Sequence, residues 1–199
     1  MVFRVAQAYD CSSQAEEAGF ARLAVAAAKY WTNKRCGVLV GEAMECLGGA
    51  GYVEESILPR LFREAPLNGI WEGSGNVICL DVLRALTKQP AVSELLISNL
   101  ELHAGSDPAY DTSLEKLKAQ LLVLPKAASY EQQHTARQLT ENIALMLQAA
   151  ELLHGGDACS ASSQAFIQTR LQGDHGMAFG TLPFGINSSS IVERVLGEH

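Results

Sequence analysis

The segment IWEGSGNV, Ile70 to Val77, sets one carboxylate, Glu72, between a tryptophan and a glycine-rich turn. That setting suits proton transfer. An aromatic wall at Trp71 would exclude water on one side and raise the pKa of the carboxylate toward working pH. Gly73 and Gly75 would let a flat ligand come close to the backbone. The N–H groups of Ser74–Asn76, at a helix start, would hold an anionic group. Glu72 also has a plainer role available. A carboxylate two residues before the N-cap Ser74 gains ~0.3–1 kcal/mol from the helix dipole. The residues alone leave both roles open.

A second glycine cluster, GGAGY, begins at Gly48 and Gly49. It lacks the full G-x-G-x-x-G spacing and follows a helix rather than a strand, so it fails as a dinucleotide fingerprint. A helix stop explains it, because positive φ costs glycine little. The five histidines are scattered, with no H-E-x-x-H spacing, and no metal site is expected.

Long stretches rich in Ala, Leu, Glu, Gln and Lys position these residues, and proline is scarce, which predicts an all-α fold. VFRVAQAYD reads as the tail of a helix. CSSQAEEAGF follows, with Ser12 or Ser13 as N-cap and Glu16 and Glu17 in the first turn. From there to Leu47 one helix of about 30 residues is predicted, near 45 Å at ~1.5 Å per residue, which calls for bundle neighbours. A short amphipathic helix, ILPRLFREA, should end near Pro66, and LNGIWEG should be irregular. Ser74 should open a helix through GNVICLDVLRALTK that stops before Pro90, with Ile78, Leu80, Val82, Leu83 and Leu86 on its apolar face. Further helical patterns fall at roughly 91–104, 111–124, 130–155 and 160–171, with a short terminal helix in IVERVLGEH.

The 199 residues are 48% hydrophobic and 19% charged, enough for a large core. The net charge of −7 divides into −2 over residues 1–85 and −5 over 86–199, so neither half is a basic module. The five cysteines are odd in number and irregular in spacing. They read as small core residues of a reduced, cytoplasmic chain. No apolar run is long enough to span a membrane.

The stretch EAMECLGGAGYVEESILPRLFREAPLNGIWEGSGNVICLDVLRAL resembles the C-terminal helical domain of acyl-CoA dehydrogenases. That family carries Q-x-x-GG-x-GY, then R-x-x-RDA, then YEGT, in this order and at about this spacing. The versions AMECLGG, REAP and WEGSGN are most similar to its AidB-type, alkylation-response branch. So are ARLAVAAAKYWTNKRCG and the helices after LDVLRALTKQ. The resemblance divides the chain into a family-type bundle, residues 1–89, and additional helices packed on it, residues 90–199.

The resemblance implies FAD and an acyl-CoA substrate. In many members the glutamate of YEGT takes the α-proton while the flavin accepts the β-hydride, and that glutamate falls on Glu72. The segment Gly73, Ser74, Gly75, Asn76 matches the family turn that touches FAD, with GSGN replacing GTSQ. The Gln that reaches the FAD of a neighbouring subunit is Glu45 here, while Gly48 and Gly49 are retained. Arg63 and Glu64 match the family's Arg-Asp pair, a candidate brace for the loop before Glu72. The resemblance also implies a homo-oligomer, dimer or tetramer, with a partner surface on the long helix near Tyr30 and Trp31. The family's N-terminal helical domain and flavin-cradling β-domain have no counterpart in this sequence. The chain thus reads as a domain fragment, inactive alone.

The competing expectation is a helical interaction module, because AidB-type proteins are associated with double-stranded DNA through this region. The candidates are Arg84 and Arg170, with Lys88, Lys116, Lys118, Lys126 and Arg137. Phosphate contact needs such residues to converge; dispersed, they are ordinary solvated charges.

Overall fold

The computed structural model describes residues 1–197. All regular structure among them is helical: α1 (Val2–Asp10), α2 (Ala15–Leu47), α3 (Gly49–Tyr52), α4 (Leu58–Asn68), α5 (Gly75–Lys88), α6 (Pro90–Glu101), α7 (Pro108–Val123), α8 (Ser129–His154), α9 (Ser160–Phe166) and α10 (Ser188–Leu196). Short 3₁₀ turns cover Leu124–Lys126 and Gly156–Cys159, and a π-helical turn, Ile167–Leu171, continues α9. The all-α expectation holds.

Helix α2 is the spine, packing against α1, α3, α4, α5, α6 and α8. Its N-terminal half buries Phe20, Leu23, Ala24, Ala27 and Tyr30, a spacing of three and four residues that keeps them on one face. Helix α8 answers with Ala136, Leu139, Ile143, Met146, Leu147 and Ala150. The alanines bring the helix axes close, and the larger side chains fill the gaps. One apolar core joins residues of α1, α2, α5, α6, α7 and α8 to Leu124 and to Ile167 in the π-helical turn. Thr140 lies within it at 0% exposure, its hydroxyl donating to the Ala136 carbonyl at 2.8 Å.

Beyond Tyr30, α2 buries no further residue. Val38, Leu39 and Leu47 are exposed there, as are Leu61, Phe62 and Leu67 on the adjacent α4. The helix therefore anchors the main core with one half, while its other half packs on α3 and α4 and leaves several apolar side chains exposed. The expectation that Tyr30 marks a partner surface is corrected: it is 6% exposed, inside the bundle, and Trp31 packs partly buried against the same core.

Several local expectations also need correction. Ser12 and Ser13 do not cap α2, whose N-cap is Gln14. The chain is still turning there, with the Ser12 and Gln14 N–H groups donating to the Tyr9 and Cys11 carbonyls. Pro66 does not end α4, which runs on to Asn68. Pro66 removes one i→i−4 bond, and the helix continues only two residues beyond it. At GGAGY, Gly48 takes φ +58° and ends α2. Gly51 serves a different need, because a Cβ there would stand 2.4 Å from the Met44 carbonyl oxygen, so only glycine lets α3 lie against α2.

The cysteines are core residues only at Cys79 and Cys159; Cys11 and Cys36 are half-buried and Cys46 is exposed. Burial pushes the Cys79 thiol up from its ordinary value, which makes it a poor nucleophile. A thiol reagent added to the folded protein is expected to modify Cys46 first and to leave Cys79 untouched until denaturant is added. Peptide mapping reads the order directly, and early labelling of Cys79 would show that α5 does not stay packed.

Candidate functional site

The turn between α4 and α5 carries Glu72, and its backbone geometry is unusual. Glu72 has φ +54°, the one non-glycine residue with positive φ among those described. That conformation costs a side-chain-bearing residue roughly 1–3 kcal/mol and persists only where surrounding contacts enforce it. The enforcing contacts come from α2. The Lys29 ammonium donates to the Trp71 carbonyl at 3.0 Å and also to the Glu72 carbonyl. Asn33, one turn further along α2, donates from its side-chain amide to the Asn68 carbonyl at 2.7 Å, fixing the end of α4. A lysine and an asparagine four residues apart on one helix face thus hold both ends of the loop.

The loop leads directly into α5. Ser74 occupies the N-cap position with extended backbone, as expected, but its side chain makes no cap bond. The first-turn N–H groups of α5 are therefore not satisfied by the serine hydroxyl. Asn76 is tied sideways, accepting from Arg137 Nε of α8 at 2.8 Å.

Beside this turn lies an open cleft of about 560 Å³ between α2, α4 and the start of α5. Lys29, Lys34, Tyr30, Ile70, Gly73 and Gly75 contribute to its lining. A Cβ on Gly75 would approach Lys34 Cε to 2.9 Å and Tyr30 Cε2 to 3.4 Å, so the absence of a side chain keeps the cleft wall low there. Glu72 is exposed and does not itself line this cleft, although its neighbours Ile70 and Gly73 do. Trp71 does not wall it off: the indole is 55% exposed, because the turn rides on the outside of the bundle. Within this chain the carboxylate faces water, and exclusion of solvent has to come from other surfaces.

Lys29→Met is expected to release the 71–72 carbonyls while leaving the bundle intact. Amide hydrogen exchange should speed up at residues 71–75 with little change elsewhere. Unchanged protection would mean that the turn holds its shape without the lysine.

The remaining sequence candidates lie elsewhere. Glu45 is exposed in the last turn of α2, with Gly48 and Gly49 just beyond. Sixteen residues separate Glu45 from Lys29, or about 24 Å of helix, so these three do not share the Glu72 cleft. The expected Arg63–Glu64 brace is not formed. Arg63 instead pairs with Glu54 at 2.6 Å and Glu64 with Arg60 at 3.6 Å, because neighbours in sequence on a helix point apart. Arg84 is engaged by Asp81 at 3.7 Å, and Asp81 also binds Arg22 at 2.8 Å. Lys118 is held by Glu101 and Glu115. Arg170, in the π-helical turn, is half-buried and stands in different surroundings from Arg84. No group of three or more His, Cys, Asp or Glu is placed to hold a metal among the described residues. Nor is any described helix long and apolar enough to cross a membrane.

Sequence reasoning missed Lys29 and Asn33. Their only signal was a polar pair at i, i+4 in an otherwise alanine-rich helix, and nothing in it names the partner loop.

The chain's sequence and its helical bundle are both similar to known proteins. A profile of the acyl-CoA dehydrogenase C-terminal domain matches residues 1–87. Over 121 residues, 61% of its length, the chain is 51% identical to the acyl-CoA dehydrogenase-type protein AidB of Escherichia coli strain K12, covering 22% of that protein. It is 36% identical over 102 residues to acyl-CoA dehydrogenase family member 11 of Caenorhabditis elegans, covering 51% of this chain and 16% of that one. The chain thus spans about a fifth of the length of these relatives or less. Among solved structures, C. elegans ACDH-11 in complex with C11-CoA superposes with a TM-score of 0.66 at 29% identity, covering 83% of this chain and 31% of that one. The Bd2924 apo-form superposes at 0.58 and 30% identity, covering 70% and 26%.

Proposed function

We propose that this chain is the C-terminal helical part of an AidB-like acyl-CoA dehydrogenase, supplying the catalytic base and one wall of the flavin site for α,β-dehydrogenation of an acyl-CoA. The single observation that carries this reading is the backbone of Glu72. A residue that only complements a helix dipole needs no positive φ and no lysine clamp. A base that must meet a substrate carbon at fixed distance gains from both.

The residues around the turn fit FAD on their own chemistry. Gly73 and Gly75 leave room for a flat ring at the backbone, the uncapped start of α5 offers N–H donors, and Lys34 adds positive charge at the cleft wall. Bound there, FAD would supply the acceptor for the β-hydride of the substrate. Glu72 would take the α-proton, leaving the α,β double bond. Lys29 would hold the turn so that the carboxylate keeps one position. Gly49 takes no positive φ, and a Cβ on it would meet nothing within 4 Å. The chain's own packing therefore does not require glycine there, which supports an outside contact for the Glu45, Gly48 and Gly49 segment, such as the FAD of a second subunit. The exposed apolar residues on the C-terminal half of α2 and on α4 support a second copy of the chain lying against them, as in a homo-oligomer. In this reading residues 1–89 are the family bundle and 90–199 a layer added to it.

The test joins this chain to the N-terminal and β-domains of the E. coli relative and loads the chimaera with FAD. Anaerobic addition of an acyl-CoA should bleach the oxidised flavin band. A flavin that binds yet stays oxidised against short, medium and long acyl chains would reject the dehydrogenase reading.

A further inference from the structure

On another side of α2 from the Glu72 turn, two arginines meet without a carboxylate. Arg35 of α2 lies over the Trp31 ring at 5.9 Å and over the Phe179 ring at 5.3 Å. Arg170 of the π-helical turn lines the same two hollows as Arg35. Burial, and then the charge of Arg35, push Arg170 down from its ordinary value. Neither arginine has an ion-pair partner among the described residues, whereas Arg4, Arg22, Arg60, Arg63 and Arg84 all do. A guanidinium cannot shed its proton to relieve this situation. Two half-buried like charges are destabilising until an anion lies between them.

Both arginines open into one cleft of about 530 Å³. No acidic residue among those described lines it; Leu39, Val40, Leu145 and Phe166 make up much of its wall. Glu42 lines an adjoining hollow with both arginines but forms no ion pair with either. Trp31 and Phe179 each meet Arg35 on one ring face. What remains is a cationic end and an aliphatic body.

We propose that Arg35 and Arg170 bind the oxyanion head, phosphate or carboxylate, of a small amphipathic molecule whose hydrocarbon body lies along Leu39, Val40 and Leu145. The fork geometry of arginine suits either head, since each guanidinium offers two parallel N–H donors. The cleft is separate from the Glu72 turn, and this proposal does not depend on flavin or dehydrogenase chemistry.

The experiment uses the full chain. The sequence has two tryptophans, so Trp71→Phe leaves Trp31 as the reporter beside Arg35. Octyl phosphate and octanoate are titrated below their aggregation range, with inorganic phosphate and octanol as controls. The expected result is a saturable change in Trp31 emission with one or both amphiphiles, the preferred one identifying the head. Inorganic phosphate and octanol should each bind at least about tenfold more weakly, as loss of a charge-assisted contact or of apolar burial implies. Arg35→Gln and Arg170→Gln should each weaken binding by about tenfold or more. Arg170→Met should melt no lower than the parent without ligand, since it removes a like charge, and octyl phosphate should raise the melting temperature of the parent alone. Octanol binding as well as octyl phosphate would overturn the proposal without recourse to any variant. So would arginine variants that bind like the parent. A short DNA duplex that displaces octyl phosphate at equal phosphate concentration would assign the arginines to nucleic acid and overturn it as well.

Discussion

Glu72→Gln is expected to slow flavin reduction by acyl-CoA about 10²–10⁴-fold in the FAD-loaded chimaera, the range that a positioned general base contributes. Glutamine keeps the size and shape of the side chain but cannot take up a proton. The bonds from Lys29 go to the backbone carbonyls of Trp71 and Glu72, so the turn keeps its conformation in this variant. Glu72→Gly makes the companion measurement. Glycine adopts φ +54° without strain, so this variant should be as active as Glu72→Gln or less, yet melt at a higher temperature by an amount reflecting a strain of roughly 1–3 kcal/mol. Opposite signs for activity and stability are the signature of strain kept for function. Full activity in Glu72→Gln would remove this residue from the chemistry, and a glycine variant no more stable than the parent would remove the strain.

Ile143→Ala should lower stability by about 2–5 kcal/mol, the usual range for truncating a core isoleucine. Ile143 is 0% exposed in α8, which packs on α2, α5, α6, α7 and α9. Out of a total of about 5–15 kcal/mol that is a large share, and at roughly 2–4 °C per kcal/mol it is visible in any melting curve. The substitution lies within residues 90–199, whereas Trp31 and Trp71 report on residues 1–89. Because one core joins both segments, tryptophan emission and far-ultraviolet ellipticity should shift together to the same lower midpoint. If helicity falls early while the tryptophan transition stays where it was, residues 1–89 and 90–199 fold separately.

Much of the secondary structure was legible because its causes are local. Alanine-rich periodicity predicts a helix over most of 16–47, and the observed α2 is Ala15–Leu47. Gly48, Ser74 and Pro90 mark boundaries through their own backbone preferences, and the structure places helix ends at all three. The local errors share a cause too. Ser12, Ser13 and Pro66 were assigned roles by residue type, and the surrounding hydrogen bonds decided otherwise. The family motifs carried further than propensity did, since their order and spacing identified the bundle and singled out Glu72 before any contact was known.

What the sequence determined by itself, then, is the helical class and the run of elements, and its motifs carry the resemblance that makes Glu72 a candidate. Those properties reside in residue type and short spacing, so they survive in one dimension. Only the tertiary structure decided that Lys29 reaches the carbonyls of a turn 42 and 43 residues away. It alone decided that α2 buries one half in the main core and leaves apolar side chains of the other exposed, that Trp71 leaves Glu72 in water, and that Arg35 finds Arg170 as a neighbour. These facts depend on which helix faces meet. Meeting is settled by the packing of the whole core, in which no single segment carries the information.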